Sequence, residues 1–135
     1  MKVWERDRES DISVPGVVCV IDGDEGIRNS LQALLGTLGI KSATFSTAEN
    51  FLDDLNGERP SFLITELDLP GIGGFELKEA LDQKGIHIPI IALTGEADEE
   101  KNQRASRLGF LELVEKPIIY WSVVERIHQT LGVPC

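Results

Sequence analysis

Apolar and polar positions follow two different periods along the chain, and the change from one period to the other repeats five times. Short runs that are continuously apolar, or apolar at every second residue, are typical of strands buried on both faces or on one face. Five such runs predict the strands VVCVI (17–21), IKSATF (40–45), SFLIT (61–65), IPIIAL (88–93) and FLELV (110–114).

A helical period follows each predicted strand. Apolar residues that recur three and four positions apart lie on one face of a helix, and that face can pack on a sheet. After the first strand, for example, Ile27, Leu31 and Leu35 share such a face, and Gly39 ends the helix. The five predicted helices cover residues 25–38, 46–55, 74–83, 97–108 and 119–131.

Strict alternation of strands and helices predicts an α/β domain over residues 17–131, with a five-stranded parallel sheet and helices on both faces. Right-handed crossovers and two polar outer strands favour the order 2-1-3-4-5, which is that of a flavodoxin-like (βα)5 fold. Residues 1–16 are polar and end in Pro15-Gly16, so they are predicted to be a flexible N-terminal extension. Residues 132–135 are predicted to be a C-terminal tail.

The composition adds limits on partners and location. The chain of 135 residues has a formal net charge of −10, and its 13 Lys and Arg residues form no basic run. Direct binding to nucleic acid or to an anionic membrane surface needs clustered cations, so we expect neither of this chain. Two cysteines without a metal-binding spacing, a charged N-terminus and the lack of an apolar run of roughly 20 residues favour a cytoplasmic protein.

Polar side chains stand directly after four of the predicted strands. In a parallel sheet of this kind the working site lies beyond the carboxyl ends of the strands, so these side chains are expected to converge. Carboxylates suit a divalent metal ion, whereas a hydroxyl and an ammonium group suit phosphoryl oxygens. The residues are Asp22 and Asp24 after strand one, Glu66 after strand three, Thr94 after strand four and Lys116 after strand five.

The segments that follow these strands are DGDEG, ELDLPGIGG, LTG and EKP, in that order. Together they resemble the signature of a response-regulator receiver domain of two-component signalling, and the resemblance covers residues 17–131. It implies the receiver version of the flavodoxin-like fold. It also implies a signalling role through protein contacts rather than enzymatic activity.

The resemblance implies a role for each site residue. In the family a histidine kinase donates a phosphoryl group to the acid that ends strand three, whose position is held by Glu66 here. A Mg²⁺ ion is held by that acid and by acids after strand one. The threonine and lysine contact the phosphoryl group, which assigns Thr94 and Lys116 to the switch. The Lys116-Pro117 bond is expected to be cis, as it commonly is in the family.

Three departures from the family pattern touch the chemistry. Glu66 replaces an aspartate and adds about 1.5 Å of reach, and an error near 1 Å can lower the rate of in-line attack about a hundredfold. Gly23 stands where the family has its second acid, and Leu113 stands where it has a switch aromatic. We therefore expect a degenerate, phosphorylation-independent receiver in which Asp22, Asp24 and Glu66 hold Mg²⁺ weakly or not at all.

The role of Glu66 in such a receiver has two open versions. The longer side chain reaches Lys116 or Thr94 and biases the domain toward an active-like state without phosphate. Alternatively, Glu66 only balances the charge of Lys116, and the domain does not switch.

Two other functions remain as alternatives. One is a conventional receiver that accepts a phosphoryl group on another acid, such as Asp68, two residues beyond Glu66. The other is a small phosphatase of the haloacid-dehalogenase type, in which Asp22 is the nucleophile and Asp24 the acid/base. Gly26 and the short chain count against the phosphatase.

Partners are expected on the face formed by helix four, strand five and helix five, where receivers usually dock targets or a second receiver. Helix four is rich in charge, and helix five begins with Tyr120 and Trp121. These aromatic residues fit an interface or a partial cover of the core, and the sequence leaves both open. A histidine kinase is a further expected partner.

Overall fold

The computed structural model describes residues 16–55 and 59–132. Strands and helices alternate throughout this part of the chain, as the hydrophobic pattern predicts. The predicted N-terminal extension and C-terminal tail, apart from Gly16 and Gly132, lie outside the described residues. The elements are β1 (Val18–Ile21), α1 (Glu25–Thr37), β2 (Ser42–Phe45), α2 (Ala48–Leu55), β3 (Phe62–Glu66), α3 (Gly74–Gln83), β4 (Ile90–Thr94), α4 (Glu99–Arg107), β5 (Glu112–Glu115) and α5 (Tyr120–Leu131).

All neighbouring strands of the sheet are parallel, and their order is β2-β1-β3-β4-β5. The predicted fold class and strand order are therefore confirmed. In the register of the sheet, Glu66 lies opposite Leu93 of β4, and Thr94 lies opposite Glu115 of β5. This register brings the carboxyl ends of β3, β4 and β5 to one edge, beside the end of β1.

The core lies on both faces of the sheet, because successive side chains of a strand point to opposite faces. In β1, Val18 and Val20 face one helical layer, whereas Cys19 and Ile21 face the other, and all four are fully buried. The first layer is formed by α1 and α5, with Leu31, Leu35, Val123, Val124 and Ile127. The second layer is formed by α2, α3 and α4, with Ala48, Phe51, Leu55, Phe75, Leu77, Leu81 and Ala105.

The helices are short elements of a globular domain. The longest of those described is α1, with 13 residues, and the shortest is α2, with 8. Among the described residues, no helix combines the length and the apolar character that crossing a bilayer requires.

Two strands extend further toward the site than predicted. The predicted third strand ends at Thr65 and the predicted fourth at Leu93, but β3 includes Glu66 and β4 includes Thr94. The reason is that pairing continues: the N–H of Leu67 donates to the carbonyl oxygen of Leu93 at 2.8 Å, and that of Lys116 donates to Thr94 at 2.8 Å. Glu66 and Thr94 are thus held by the sheet itself.

The loop between β3 and α3 packs against the end of its own strand. Gly74 begins α3 at a crowded position, because a Cβ there would lie 2.8 Å from Cδ2 of Leu67 and 3.0 Å from the carbonyl oxygen of Glu66. The N–H of Ile72 donates to Oε2 of Glu49 at 3.2 Å, which ties the same loop to α2. The Lys116-Pro117 peptide bond at the neighbouring strand end is cis, as predicted.

Replacing Gly74 with alanine is expected to destabilise the fold by about 1–3 kcal/mol, because the new methyl group presses on Leu67 and on the backbone of Glu66. Urea denaturation measures this change in the free energy of unfolding. Gly36→Ala in α1 is the matched control, since a Cβ there meets nothing within 4 Å. Alanine is also the better helix former by roughly 1 kcal/mol, so the control should be stabilised. Unchanged stability of Gly74→Ala would contradict the close approach.

Candidate functional site

Asp22 follows β1 and has no exposed surface. Its N–H donates to the carbonyl oxygen of Phe45 at 3.1 Å, and its own carbonyl oxygen accepts from Nη1 of Arg28 at 2.8 Å. Its carboxylate oxygen Oδ1 accepts from the N–H of Asp24 at 2.8 Å. Backbone and side chain are both anchored, so the Asp22 carboxylate has a fixed position at the edge of the sheet.

The ammonium group of Lys116 lies between two carboxylates. Its Nζ is 3.0 Å from Oδ2 of Asp22 and 2.8 Å from Oε2 of Glu66. The other oxygen of Glu66, Oε1, accepts from the N–H of Gly23 at 3.2 Å. The side chains of Lys116 and Glu66 are only 19% and 17% exposed. The structure therefore brings three of the predicted site residues into one mostly buried ionic cluster.

Asp22 and Lys116 both have shifted pKa values. Burial, with a smaller contribution from the charge of Glu66, raises the pKa of Asp22 above its usual range despite the opposing effects of the Asp24 N–H and of Lys116. Burial lowers the pKa of Lys116, but the hydrogen bonds to Glu66 and Asp22, together with the charges of these two acids, outweigh it, and the net pKa is raised. Lys116 therefore remains a cation at neutral pH.

Asp24 is not part of this cluster. Its side chain is the N-cap of α1, where Oδ1 accepts from the N–H of Gly26 at 2.8 Å and from that of Ile27 at 3.4 Å. The cap satisfies N–H groups that have no partner within the helix, so it holds the carboxylate at the start of α1. An aspartate directly before a helix is a cap signal, and it could have been recognised in the sequence.

The donor set at this edge does not fit Mg²⁺. The ion needs several oxygen ligands in near-octahedral geometry, but Lys116 lies between Asp22 and Glu66, and Asp24 caps α1. Position 23 would face the cluster, since a Cβ there would lie 3.8 Å from Oε1 of Glu66, but glycine supplies no ligand. Within residues 16–55 and 59–132, no group of three or more His, Cys, Asp and Glu residues could hold a metal ion.

Thr94 belongs to a different set of contacts. It is fully buried, its hydroxyl donates to Oδ2 of Asp68 at 3.1 Å, and its oxygen accepts from Nζ of Lys101 at 3.3 Å. The described hydrogen bonds include none between the hydroxyl of Thr94 and the side chain of Glu66 or Lys116. Lys101 was not predicted as a site residue, because in sequence it is one of several charged residues on α4.

The remaining predicted positions lie in the α4–β5–α5 region. Leu113 is half-buried and packs against the core beneath α2, α3 and α4. Tyr120 is half-buried against the layer formed by α1 and α5, so it partly covers the core. Trp121 is 56% exposed and Ile119 is 71% exposed. Tyr120 therefore helps to cover the core, whereas Trp121 is left exposed to solvent.

The sequence profile of the response regulator receiver domain matches residues 18–128. The chain belongs to this family. It is 32% identical over 115 residues to the transcriptional regulatory protein FixJ of Azorhizobium caulinodans, covering 85% of this chain and 54% of FixJ. It is 29% identical over 101 residues to the response regulator protein TodT of Pseudomonas putida, covering 75% and 44%. The receiver domain thus spans about half the length of these relatives.

A solved structure agrees with the assignment. The BeF3-activated DrrB receiver domain superposes with a TM-score of 0.78 at 25% identity, covering 86% of this receiver and 97% of DrrB. Receiver domains of response regulators act in two-component signalling, where they interact with histidine kinases and effector domains. They are signalling modules and usually not enzymes, and they typically bind Mg²⁺ at the phosphorylation site.

The raised pKa of Asp22 predicts a pH-dependent difference in stability. Because folded Asp22 binds its proton more tightly than the unfolded chain does, the wild type loses stability as pH rises from about 3.9 through the folded pKa. Asparagine does not titrate. The free energy of unfolding of Asp22→Asn, relative to the wild type, should therefore increase across this window.

Urea denaturation of both proteins at several pH values between about 4 and 7 measures this difference. The difference between Gly36→Ala and the wild type should stay constant over the same range, because that substitution changes no titratable group. A flat or falling curve for Asp22→Asn would show that burial does not dominate its pKa.

Proposed function

We propose that this receiver is degenerate and acts by protein–protein contacts without phosphorylation. The observation that carries the proposal is the position of Glu66, whose Oε2 lies 2.8 Å from Nζ of Lys116. The family uses the acid at the end of the third strand as the phosphoacceptor and the lysine as a phosphoryl contact. In this chain the two side chains bind each other.

The carboxylate of Glu66 is poorly placed for attack on a phosphoryl donor. Its oxygens are both engaged, one with Lys116 and the other with the N–H of Gly23. Its extra methylene displaces the carboxylate by about 1.5 Å relative to aspartate. Since a misplacement near 1 Å can lower the rate of in-line attack about a hundredfold, transfer to Glu66 is disfavoured.

Two further observations support independence from phosphate. The donor set does not fit Mg²⁺, so the usual neutralisation of phosphoryl charge has no support at this site. The hydroxyl of Thr94 bonds to Asp68 and Lys101 rather than to the side chains around Lys116. Glu66 contacts Lys116, a contact that both versions of its role include.

A second candidate is conventional phosphorylation on Asp68. One specific observation favours it: Asp68 is exposed, and its Oδ2 accepts from the hydroxyl of Thr94, which in turn accepts from the ammonium group of Lys101. An acid, a hydroxyl and an ammonium group thus lie together at the end of β4, apart from the cluster around Lys116. The phosphatase alternative has less support, because its nucleophile Asp22 has no exposed surface.

We propose the face of α4, β5 and α5 as the contact surface for protein partners, in the first place a second receiver. Ile119 and Trp121 are its large exposed apolar side chains among the described residues. Helix α4 carries Glu99 in its first turn and Arg107 in its last. An antiparallel pair of α4 helices across a twofold axis would place unlike charges opposite each other.

Incubation with acetyl phosphate and magnesium, followed by intact-mass measurement, tests the proposed lack of phosphorylation. The wild type should stay unmodified. The variant with Glu66→Asp and Gly23→Asp should gain the mass of one phosphoryl group, because it regains the shorter acceptor and a carboxylate that faces the pocket. The Glu66→Asp single variant is the control for acceptor length alone.

A labelled wild type would overturn the proposal. Asp68→Asn then decides between acceptors: loss of the label in this variant would establish the second candidate, whereas retention would point to another acid. An unlabelled double variant would show that these two substitutions are not what disables the pocket.

Charge reversal tests the second-receiver contact. Glu99→Lys and Arg107→Glu should each weaken self-association roughly fivefold to tenfold, because each places like charges opposite one another. An equimolar mixture of the two variants should recover the wild-type association, since both contacts then pair unlike charges. Analytical ultracentrifugation measures the three states. A wild type that stays monomeric, or a mixture no stronger than the variants, contradicts this contact.

A further inference from the structure

The hydroxyl of Thr94 is saturated with hydrogen bonds although it is fully buried. A threonine oxygen carries one proton and two lone pairs. The proton is directed to Oδ2 of Asp68 at 3.1 Å, with the carbonyl oxygen of Glu96 at 3.2 Å as a second acceptor. The lone pairs accept from Nζ of Lys101 at 3.3 Å and from the N–H of Glu96 at 3.4 Å. This hydroxyl has no capacity left for a further ligand.

Lys101 is held at both ends. Its backbone N–H donates to Oδ1 of Asp98, the N-cap of α4, at 2.8 Å. Its side chain folds back to the end of β4, where Nζ donates to the carbonyl oxygen of Glu96 at 2.7 Å and to Thr94. One half-buried residue therefore connects the first turn of α4 to the sheet.

Asp68 brings the loop between β3 and α3 into the same network. It is exposed, and together with Lys101 it lines a cleft of about 340 Å³ whose apolar wall is formed by Leu67 and Phe75. The carboxylate is thus open to solvent on one side and bonded to Thr94 on the other. A partner that engages Asp68 would draw it away from the threonine.

We propose that Asp68, Thr94 and Lys101 form a latch that sets the position of α4 from the β3–α3 loop, and that Lys101 is its positioning residue. The side chains of the latch share no described hydrogen bond with the side chains of Asp22, Glu66 or Lys116; the N–H of Lys116 reaches only the backbone carbonyl oxygen of Thr94. Access to α4 is therefore controlled at Asp68 and not at the phosphoacceptor position. This inference does not depend on whether Glu66 accepts a phosphoryl group.

Hydrogen exchange of the full chain, followed by mass spectrometry, tests the latch. Lys101→Met keeps the aliphatic stem and removes the charged donor, so amides of residues 97–107 should exchange roughly tenfold faster. Lys101→Arg keeps a cationic donor and should therefore accelerate exchange less than Lys101→Met does. Lys84→Met, at an exposed lysine after α3, is the control for loss of a charge and should change nothing.

The separation of the two networks is tested in the same experiment. Glu66→Gln weakens the cluster around Lys116 and should leave exchange of residues 97–107 within about twofold of the wild type. Asp68→Asn removes a charged acceptor at an exposed position and should accelerate the same amides by roughly threefold. This milder variant decides the matter if Lys101→Met does not fold.

Two results would overturn the latch. One is equal exchange in Lys101→Met and the wild type, or equal acceleration in Lys101→Met and Lys101→Arg, which would leave the ammonium group no positioning role. The other is acceleration by Glu66→Gln as large as that by Lys101→Met, which would join α4 to the phosphoacceptor position. Neither result bears on labelling by acetyl phosphate, so the proposed function is judged separately.

Discussion

The carboxylate of Asp22 has no exposed surface, so neighbouring groups must compensate its charge. A buried charge is costly unless an opposite charge and hydrogen bonds accompany it. Lys116 supplies the charge from beyond β5, and the N–H of Asp24 supplies a hydrogen bond. Once Lys116 is held there, the carboxylate at the end of β3 finds a cation within reach, and Glu66 is long enough to bind it.

Two lysines at this edge of the sheet bind different groups. Lys116 compensates the acids that end β1 and β3, whereas Lys101 serves the hydroxyl that ends β4. In the family, one phosphoryl group engages both the threonine and the lysine. Here protein groups already occupy both positions. This supports the proposal that the receiver contacts other proteins without being phosphorylated.

The fold and the meeting of Asp22, Glu66 and Lys116 could be predicted from the sequence. Apolar runs and their polar ends are local features, and the handedness of crossovers follows a general rule. The direction of each side chain could not. The side chain of Asp24 points to its own helix, where it accepts from the N–H of Gly26 two residues away. Lys101 turned to the threonine, but its sequence neighbours on α4 carry similar charges, and only the packed helix reveals which one points inward.

The cap made by Asp24 places helix stability and metal recruitment in competition for one side chain. Turning this carboxylate toward Glu66 would remove the acceptor for the N–H groups of Gly26 and Ile27, at a penalty of about 1 kcal/mol. Gly23 takes no part in the cap of α1, so a side chain introduced there would not have to leave the cap. Divalent-cation affinity could thus be regained at position 23 without weakening α1, whereas any route through Asp24 trades one property against the other.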